Sequence, residues 1–194
     1  MVKLPSLPED AHLSDLFGMY SDNVPSLMAF TDGVLRQDGA LPIAERELIA
    51  AFVSGLNACT FCFGSHKIYA EAFGIDEGVI EAVLDDLETA PISRGLKALL
   101  GYVAALNTLP AQVSQVQMDA VLAVGYSEKA LFEAVQIAGL FNMMNRIIEG
   151  TGVSFDYTID RSVHPTVRLG ADARTHSYGG TPMGKPDRSG EGGS

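Results

Sequence analysis

Helical periodicity runs through most of this sequence and constrains the fold more than any other feature. Apolar residues recur every three or four positions over residues 23–150, while the period-two alternation of strands is nearly absent. Pro25 and Pro42 stand near the start of two such segments, and Gly74 and Gly150 close two others. The pattern predicts an all-α bundle of seven or eight helices joined by short connections.

The periodic segments also define a predicted domain. The predicted helices cover residues 23–36, 41–56, 58–73, 76–87, 92–106, 114–125 and 127–150. Ser114 and Gln117 have the spacing of a capping box, and Ser127 is a predicted N-cap for the longest helix. The helical domain is predicted to span residues 1–155. Residues 156–194 then form a poorly structured C-terminal extension, whose Gly-, Pro- and Ser-rich end is predicted to be disordered.

The acidic charge excludes two classes of partner. The chain has 194 residues and a formal net charge of −11, and the imbalance lies within residues 1–150. A surface of this sign repels phosphate backbones and anionic lipid headgroups, so neither a nucleic acid nor a membrane partner is expected. The sequence contains no recognisable signal peptide and no apolar run of membrane-spanning length, which predicts a cytoplasmic location.

Both cysteines lie in the short segment "NACTFCFGSH", at the junction of two predicted helices. With Asn57 as the N-cap of the second helix, Cys59, Cys62 and His66 share one helical face near its N-terminus. The helix dipole and a nearby imidazole both lower the pKa of a thiol, and the thiolate is the reactive form. One sulfur can attack an oxidant while the other closes a disulfide onto it. The dipole favours Cys59 as the attacking sulfur and the spacing to His66 favours Cys62, so the residues leave this choice open.

Two alternatives compete with a redox pair. Two cysteines on a buried helical face can serve as small apolar side chains without any chemistry. A zinc site would find three ligands within eight residues, but no second cluster supplies a fourth, since His12, His164 and His176 are scattered along the chain. We therefore expect neither a metal nor another cofactor.

Glu47 is the remaining candidate for a chemical role. It shares a helical face with Ala50, Ala51 and Ser54, whose small side chains allow another helix to approach closely. A carboxylate recessed between two helices is desolvated, which raises its pKa and suits it to proton transfer. The alternative is that Glu45 and Glu47 only complement the dipole of their helix. The residues alone favour neither interpretation.

The segment from Glu47 to His66 resembles the signature of the alkylhydroperoxidase D-like (AhpD-like) proteins in the carboxymuconolactone decarboxylase superfamily. That signature is a Glu, eleven residues, Cys-x-x-Cys, three residues and a His, and Glu47, Cys59, Cys62 and His66 fill it without a gap. The stretches "KALLGYVAALNTLP" and "MDAVLAVGYSEKALFEAVQIAGLFNMMNRIIEGTGV" are similar to the peroxidase-related branch. The likeness covers about residues 10–155.

The resemblance implies a single-domain AhpD-like helical bundle that assembles into homo-oligomers. It also implies that Cys62 is the peroxidatic thiolate, that Cys59 is the resolving thiol, and that His66, helped by Glu47, takes the proton from Cys62. Phe61 departs from those members that carry a second histidine just before the second cysteine. Because phenylalanine cannot relay a proton, any proton path that serves Cys59 must differ here.

The predicted function is reduction of an organic hydroperoxide or hydrogen peroxide by the two thiols. An external dithiol or a disulfide-reductase partner would restore the pair. Rival hypotheses are a protein disulfide reductase or redox sensor, a lactone decarboxylase or hydrolase, and a non-catalytic binding scaffold. The lactone chemistry of the superfamily does not depend on Cys-x-x-Cys, so the pair argues against it. Asn145 and Arg146, which also belong to the resemblance, are expected to be structural.

Overall fold

The computed structural model describes residues 3–169 and 176–179 of the chain. Every regular element in these residues is a helix, which confirms the predicted all-α class. The helices of the described part are α1 (Leu13–Met19), α2 (Val24–Leu35), α3 (Ile43–Leu56), α4 (Thr60–Ala72), α5 (Val79–Asp85), α6 (Arg94–Leu106), α7 (Gln115–Ala123), α8 (Glu128–Thr151) and α9 (Pro165–Leu169).

Helix α3 forms the centre of the bundle. Every residue from Arg46 to Ser54 is buried, so no face of its middle part meets solvent. It packs most extensively against α4 and next against α8. Because α3 carries Glu47 and α4 carries His66, the packing of these two helices decides the geometry of the candidate site.

Local sequence signals at several helix ends are confirmed. Ser114 and Gln117 form a reciprocal capping box at the start of α7, and the side chain of Ser127 accepts a backbone hydrogen bond at the start of α8. Gly74 and Gly125 have φ angles of 108° and 104°. Most side chains disfavour that region of backbone space, so glycines follow α4 and α7 as predicted.

The predicted boundaries at the start of α4 and at the end of α8 are wrong. Helix α4 begins at Thr60 with Cys59 as its N-cap, and Asn57 is instead the C-cap of α3. Helix α8 continues past Gly150, and the residue with a left-handed conformation at its end is Gly152. The first difference matters because it places one cysteine before the helix and the other inside it.

Helices α1 and α9 lie outside the predicted set. The N-cap of α1 is His12, whose Nδ1 accepts a hydrogen bond from the amide of Ser14 at 3.1 Å. Histidine is not a usual capping residue, and helices of seven and five residues leave little periodicity to detect. Helices this short gain most of their stability from tertiary packing.

The residues that follow α8 return along the bundle and pack over α4. The amide of Ser154 donates to the carbonyl of Ala11 at 2.9 Å, and the side chains of Tyr157, His164 and His176 are buried. The domain boundary at residue 155 stays a prediction, and the disorder expected toward the chain end lies outside the described residues. Among the described helices, none has the length and apolar character that a membrane span requires.

Replacing Gly64 with alanine should weaken the packing of this returning segment on α4. A Cβ at Gly64 would lie 3.0 Å from the Cβ of Tyr157 and 3.2 Å from the amide nitrogen of Thr158. Gly139, in the interior of α8, is the matched control, because a Cβ there meets no heavy atom within 4 Å. In urea unfolding, Gly139→Ala should raise the free energy of unfolding by about 0.5–1 kcal/mol. Gly64→Ala should lower it by about 1–3 kcal/mol, and equal stabilisation by both would contradict the described packing.

Candidate active site

The two cysteines lie at the start of α4 in different conformations. Cys59 has the extended backbone of an N-cap, with φ −88° and ψ 94°, and Cys62 lies in the first turn of the helix. Between α3 and Cys59, Ala58 has a φ of 55°, which is uncommon for a residue with a side chain. Both thiols are free and buried, with 0% of Cys59 and 3% of Cys62 exposed. Cys59 therefore precedes the helix instead of sharing its face with Cys62.

The two thiols shift each other's ionisation in opposite directions. Hydrogen bonding from the side chain of Cys62 lowers the pKa of Cys59, while burial opposes this shift and the backbone of Cys62 adds to it. The same contact with Cys59, together with burial, raises the pKa of Cys62 well above its ordinary value. When one proton has left the pair, the negative charge lies on Cys59. This agrees with the effect expected of the helix dipole, whereas the raised pKa of Cys62 means that the thiolate implied there by the resemblance is not the resting form.

The two sulfurs face different spaces. Cys62 and His66 form part of the wall of a largely enclosed cavity of about 70 Å³. The rest of the wall is mostly apolar or aromatic, and its members include Phe61, Tyr69, Leu140, Phe141, Met144 and Tyr157. No Asp, Glu, Lys or Arg among the described residues contributes to this wall. Cys59 instead borders a separate, more open depression together with Phe63 and Leu84.

Glu47 holds together the polar part of the site. Its carboxylate is fully buried, and its Oε2 atom lies 2.6 Å from Nδ1 of His66. Its Oε1 atom pairs with the guanidinium of Arg36 and accepts a hydrogen bond from the hydroxyl of Tyr178 at 3.3 Å. A buried carboxylate requires such partners because its desolvation is costly. Four parts of the chain thus meet at the side chain of Glu47, which are α3, α4, the end of α2 and the C-terminal segment of residues 176–179.

The pKa of Glu47 is lowered to about 2, so of the two interpretations left open by the sequence, the one with a raised pKa is wrong. Burial by itself would raise the pKa, but the charge of Arg36 and the contacts with His66 outweigh the burial. The sequence indicates that Glu47 is recessed, but it does not indicate that Arg36 lies beside it. Glu47 is therefore ionised near pH 7 and does not donate a proton there.

The ionised Glu47 decides which nitrogen of His66 carries a proton. A carboxylate can only accept, so Nδ1 of His66 donates to Oε2 of Glu47. In the neutral imidazole, Nε2 is then the hydrogen-bond acceptor. His66 lies one helical turn after Cys62, and both side chains contribute to the cavity wall. The arrangement can accept a proton at Nε2 while Glu47 stabilises the imidazolium that forms.

The histidines that are scattered in the sequence converge around this cavity. Nε2 of His12 lies 2.6 Å from the hydroxyl of Tyr157, and the rings of His164 and His176 contact the ring of Tyr69. Burial lowers the pKa of His164 to about 3 and that of His176 to about 4, so both are neutral near pH 7. Within residues 3–169 and 176–179, no group of His, Cys, Asp or Glu is placed to hold a metal ion.

Asn145 is a candidate that sequence reasoning assigned only to structure. It is buried on α8, donates from its side chain to Oγ of Ser54 at 3.1 Å, and its Oδ1 accepts from the side-chain Nδ2 of Asn57 at 2.9 Å. Hydrogen bonding with Cys62 also lowers the pKa of that thiol, against the larger effects of Cys59 and burial. The Asn-Arg pair was the available signal, but only the packing of α8 beside α4 brings Asn145 to the sulfur. Arg146 is exposed and hydrogen bonds to its neighbour one turn earlier.

The comparison with protein families gives one match over the site. Residues 24–108 match the Carboxymuconolactone decarboxylase family. The matched stretch contains the four predicted site residues, which are Glu47, Cys59, Cys62 and His66. No curated protein matched the sequence.

Several solved structures have a similar fold. An uncharacterized peroxidase-related protein with an alkylhydroperoxidase AhpD core, from Ralstonia eutropha JMP134, is 21% identical with a TM-score of 0.67, over 71% of this chain and 73% of that one. The debrominase Bmp8 is 18% identical with a TM-score of 0.63, over 81% and 80%. ATU0492, a protein of unknown function from Agrobacterium tumefaciens and a candidate antioxidant defence protein AhpD, is 23% identical with a TM-score of 0.63, over 78% and 96%. At these identities the likeness shows the fold alone.

Replacing Glu47 with glutamine should remove an acid-sensitive part of the stability. The folded-state pKa of about 2 lies below the ordinary value of 4.5, so the stabilisation is complete above pH 4.5 and is lost as the pH falls toward 2. The loss amounts to about 3 kcal/mol at ~1.4 kcal/mol per pKa unit. Urea unfolding at several pH values from 7 to 2.5 measures the free energy of unfolding. It should fall with pH in this way in the wild type and in the exposed control Glu77→Gln. In Glu47→Gln the acid-dependent loss of stability should be smaller by about 3 kcal/mol. The stability at pH 7 should be lower by roughly 3–5 kcal/mol, because Arg36 loses its counter-charge. If the free energy of unfolding of Glu47→Gln fell with pH as steeply as that of the wild type, the pairing of Glu47 with Arg36 and His66 would be contradicted.

Removing either thiol should shift the pKa of the other in a predictable direction. Cys62→Ala removes the hydrogen bond that stabilises the Cys59 thiolate, so the pKa of Cys59 should rise. Cys59→Ala removes the largest effect that raises the pKa of Cys62, so that pKa should fall. The pH dependence of alkylation, followed by mass spectrometry, measures both values. If the pH midpoint of alkylation of the remaining cysteine were unchanged in both variants, the two thiols would not shift each other's pKa.

Proposed function

Because this chain belongs to the AhpD-like and carboxymuconolactone decarboxylase superfamily, as its motif predicted, we propose that it is a thiol-dependent peroxidase. The substrate is hydrogen peroxide or an organic hydroperoxide, and Cys59 and Cys62 cycle between dithiol and disulfide. The observation that carries the proposal is the position of Cys62, which shares a cavity wall with His66 and lies beside a second thiol. A peroxide in this cavity meets a sulfur nucleophile and a proton acceptor, and the resolving sulfur is next to them.

The reaction balances with the groups of this site. The Cys62 thiolate attacks the terminal oxygen of the hydroperoxide, an S–O bond forms, the O–O bond breaks, and the leaving alkoxide takes a proton to become an alcohol. Cys62 is then a sulfenic acid. The thiolate of Cys59 attacks that sulfur, an S–S bond forms, and the hydroxide leaves as water after it takes a proton. Two thiols and one hydroperoxide thus give a disulfide, an alcohol and water.

Two groups beside Cys62 can take its proton. In the resting pair the thiol of Cys62 is hydrogen bonded to the more acidic Cys59, so transfer of this proton to Cys59 creates the attacking thiolate. Nε2 of His66 is a second acceptor, since Glu47 holds the opposite nitrogen of the ring. From either position the proton can return to the leaving alkoxide. Phe61 contributes only apolar surface to the cavity and takes no part in these transfers.

The oxidised pair needs a reductant from outside the site. An external dithiol, free or on a disulfide-reductase partner, reduces the disulfide by exchange through a mixed disulfide. Cys59 borders the open depression beside Phe63 and Leu84, whereas Cys62 borders the enclosed cavity, so we assign the attack of the incoming thiolate to Cys59. Attack there releases Cys62 into its cavity as the thiolate. Assembly into a homo-oligomer and a cytoplasmic location, both expected from the sequence, belong to the same proposal.

The rival hypotheses differ in what they require of the two thiols. A protein disulfide reductase or redox sensor reacts with a protein disulfide, and a lactone enzyme or a binding scaffold does not need the pair. A debrominase is disfavoured by the size of the cavity. A cysteine-to-alanine variant of the debrominase Bmp8 was solved in complex with 2,3,4-tribromopyrrole, a ligand larger than benzene. The present cavity of about 70 Å³ has roughly half the volume of an apolar cavity that holds one benzene.

Cysteine variants test the proposed peroxidase. Cys62→Ser should abolish peroxide consumption, whereas Cys59→Ser should be oxidised once per chain and then fail to turn over. Peroxide consumption with an excess of dithiothreitol measures turnover, and mass spectrometry after dimedone labelling detects the sulfenic acid in Cys59→Ser. Stopped-flow oxidation by hydrogen peroxide, compared with oxidation by a protein disulfide, separates the disulfide-reductase rival. If the double Cys→Ser variant consumed peroxide at the wild-type rate, the proposal would fail.

A further inference from the structure

The wall of the cavity beside Cys62 also includes His176 and Tyr178, and these residues indicate which substrates the cavity can accept. We propose that the cavity accepts small, uncharged hydroperoxides, of the size of hydrogen peroxide or ethyl hydroperoxide, and that His176 hydrogen bonds the hydroperoxide group. This inference rests on the peroxidase function proposed above. It adds the class of substrate and the residue that binds it.

The first observation is a buried nitrogen that lacks a partner. His176 is 4% exposed, and its Nδ1 atom has no hydrogen-bond partner among the described residues. A buried polar atom without a partner is costly, so a ligand that supplies one is favoured. The neutral imidazole makes Nδ1 either a donor or an acceptor, depending on the tautomer. A hydroperoxide group has both an O–H donor and acceptor oxygens, so it pairs with Nδ1 in either case.

The second observation concerns charge. The wall of the cavity contains no Asp, Glu, Lys or Arg among the described residues. The charges of Arg36 and Glu47 pair with each other, and Glu47 contacts the wall residue His66. A ligand with its own carboxylate or phosphate would lose its hydration and find no counter-charge. Hydroperoxides of fatty acids are therefore excluded, and uncharged ones are accepted.

The third observation is volume. An engineered apolar cavity of about 150 Å³ holds one benzene, and the present cavity has about 70 Å³. Hydrogen peroxide and ethyl hydroperoxide have fewer heavy atoms than benzene, whereas cumene hydroperoxide contains a complete benzene ring and five further heavy atoms. Extra atoms can enter only if the wall moves, and well-packed walls resist such movement.

Four hydrogen bonds hold in place the part of the wall that contains His176. The carboxylate of Asp32 accepts from the hydroxyl of Ser177 at 2.7 Å, from the amide of Tyr178 at 2.6 Å and from the amide of Gly179 at 2.7 Å. The carbonyl of His176 accepts from Nε of Arg36 at 3.2 Å. Asp32 therefore anchors residues 177–179, which fixes this part of the wall and keeps the cavity small.

Single-turnover oxidation of the reduced full-length protein tests this proposal, with hydrogen peroxide, ethyl hydroperoxide and cumene hydroperoxide compared at equal concentration. Loss of free thiol gives the second-order rate constant for each. Hydrogen peroxide and ethyl hydroperoxide should react at similar rates, and cumene hydroperoxide about tenfold more slowly or worse. Equal rates for the ethyl and cumene compounds would overturn the size limit while the peroxidase function stood. If none of the three oxidised the thiols, the peroxidase function itself would fall.

Two variants test the residues. His176→Phe keeps the ring but removes the nitrogen, so the rate with hydrogen peroxide should fall about two- to tenfold. An unchanged rate would overturn the role of His176. Asp32→Ala should release the segment and raise the ratio of the cumene rate to the hydrogen peroxide rate, while the exposed control Asp38→Ala should leave that ratio unchanged. If Asp32→Ala folded and kept the wild-type ratio of the cumene rate to the hydrogen peroxide rate, the proposed anchoring role of Asp32 would be wrong.

Discussion

The buried ion pair between Arg36 and Glu47 is the interaction on which the rest of the site depends. It joins the end of α2 to α3, and through the same carboxylate it reaches His66 on α4 and Tyr178 in the C-terminal segment. Without Arg36, a carboxylate at this burial would take up a proton or draw in water. Because the pair keeps Glu47 ionised, it orients the imidazole beside Cys62 and helps to hold the segment that bounds the cavity.

Burial has different consequences for the two sulfurs. Cys62 lies inside the first turn of α4 beside an apolar cavity, where its thiol stays protonated until a neighbour takes the proton. Cys59 lies at the N-cap, where hydrogen bonds from Cys62 stabilise its thiolate. In the proposed mechanism Cys62 becomes a nucleophile when Cys59 or His66 takes its proton, and the hydrogen bond to Cys59 gives this proton a short path. In the peroxidase proposed above, this asymmetry would assign attack to Cys62 and resolution to Cys59.

Local patterns account for the predictions that succeeded. The apolar period of 3.6 residues, the Ser114–Gln117 capping box and the glycines after α4 and α7 depend on neighbours within a few positions, so the sequence alone predicts them. Of the interpretations that failed, one depends on a distant residue and one on an unusual local signal. The raised pKa that stood as one alternative for Glu47 is wrong because Arg36, which the sequence could not place beside it, supplies a counter-charge. The N-cap of α4 was misplaced by two positions because cysteine is not a usual capping residue.

The sequence by itself determined that the chain is an all-α bundle and that a Cys-x-x-Cys pair with a histidine one turn later opens one of its helices, since spacing along a helix is a local property. Only the tertiary structure decided what surrounds that pair. It assigned the lower pKa to Cys59, gave Glu47 its buried counter-charge, and brought His176 from the far end of the chain to the cavity wall. Hydrogen bonding, burial and charge pairing act through space, and separation along the sequence carries almost no information about them.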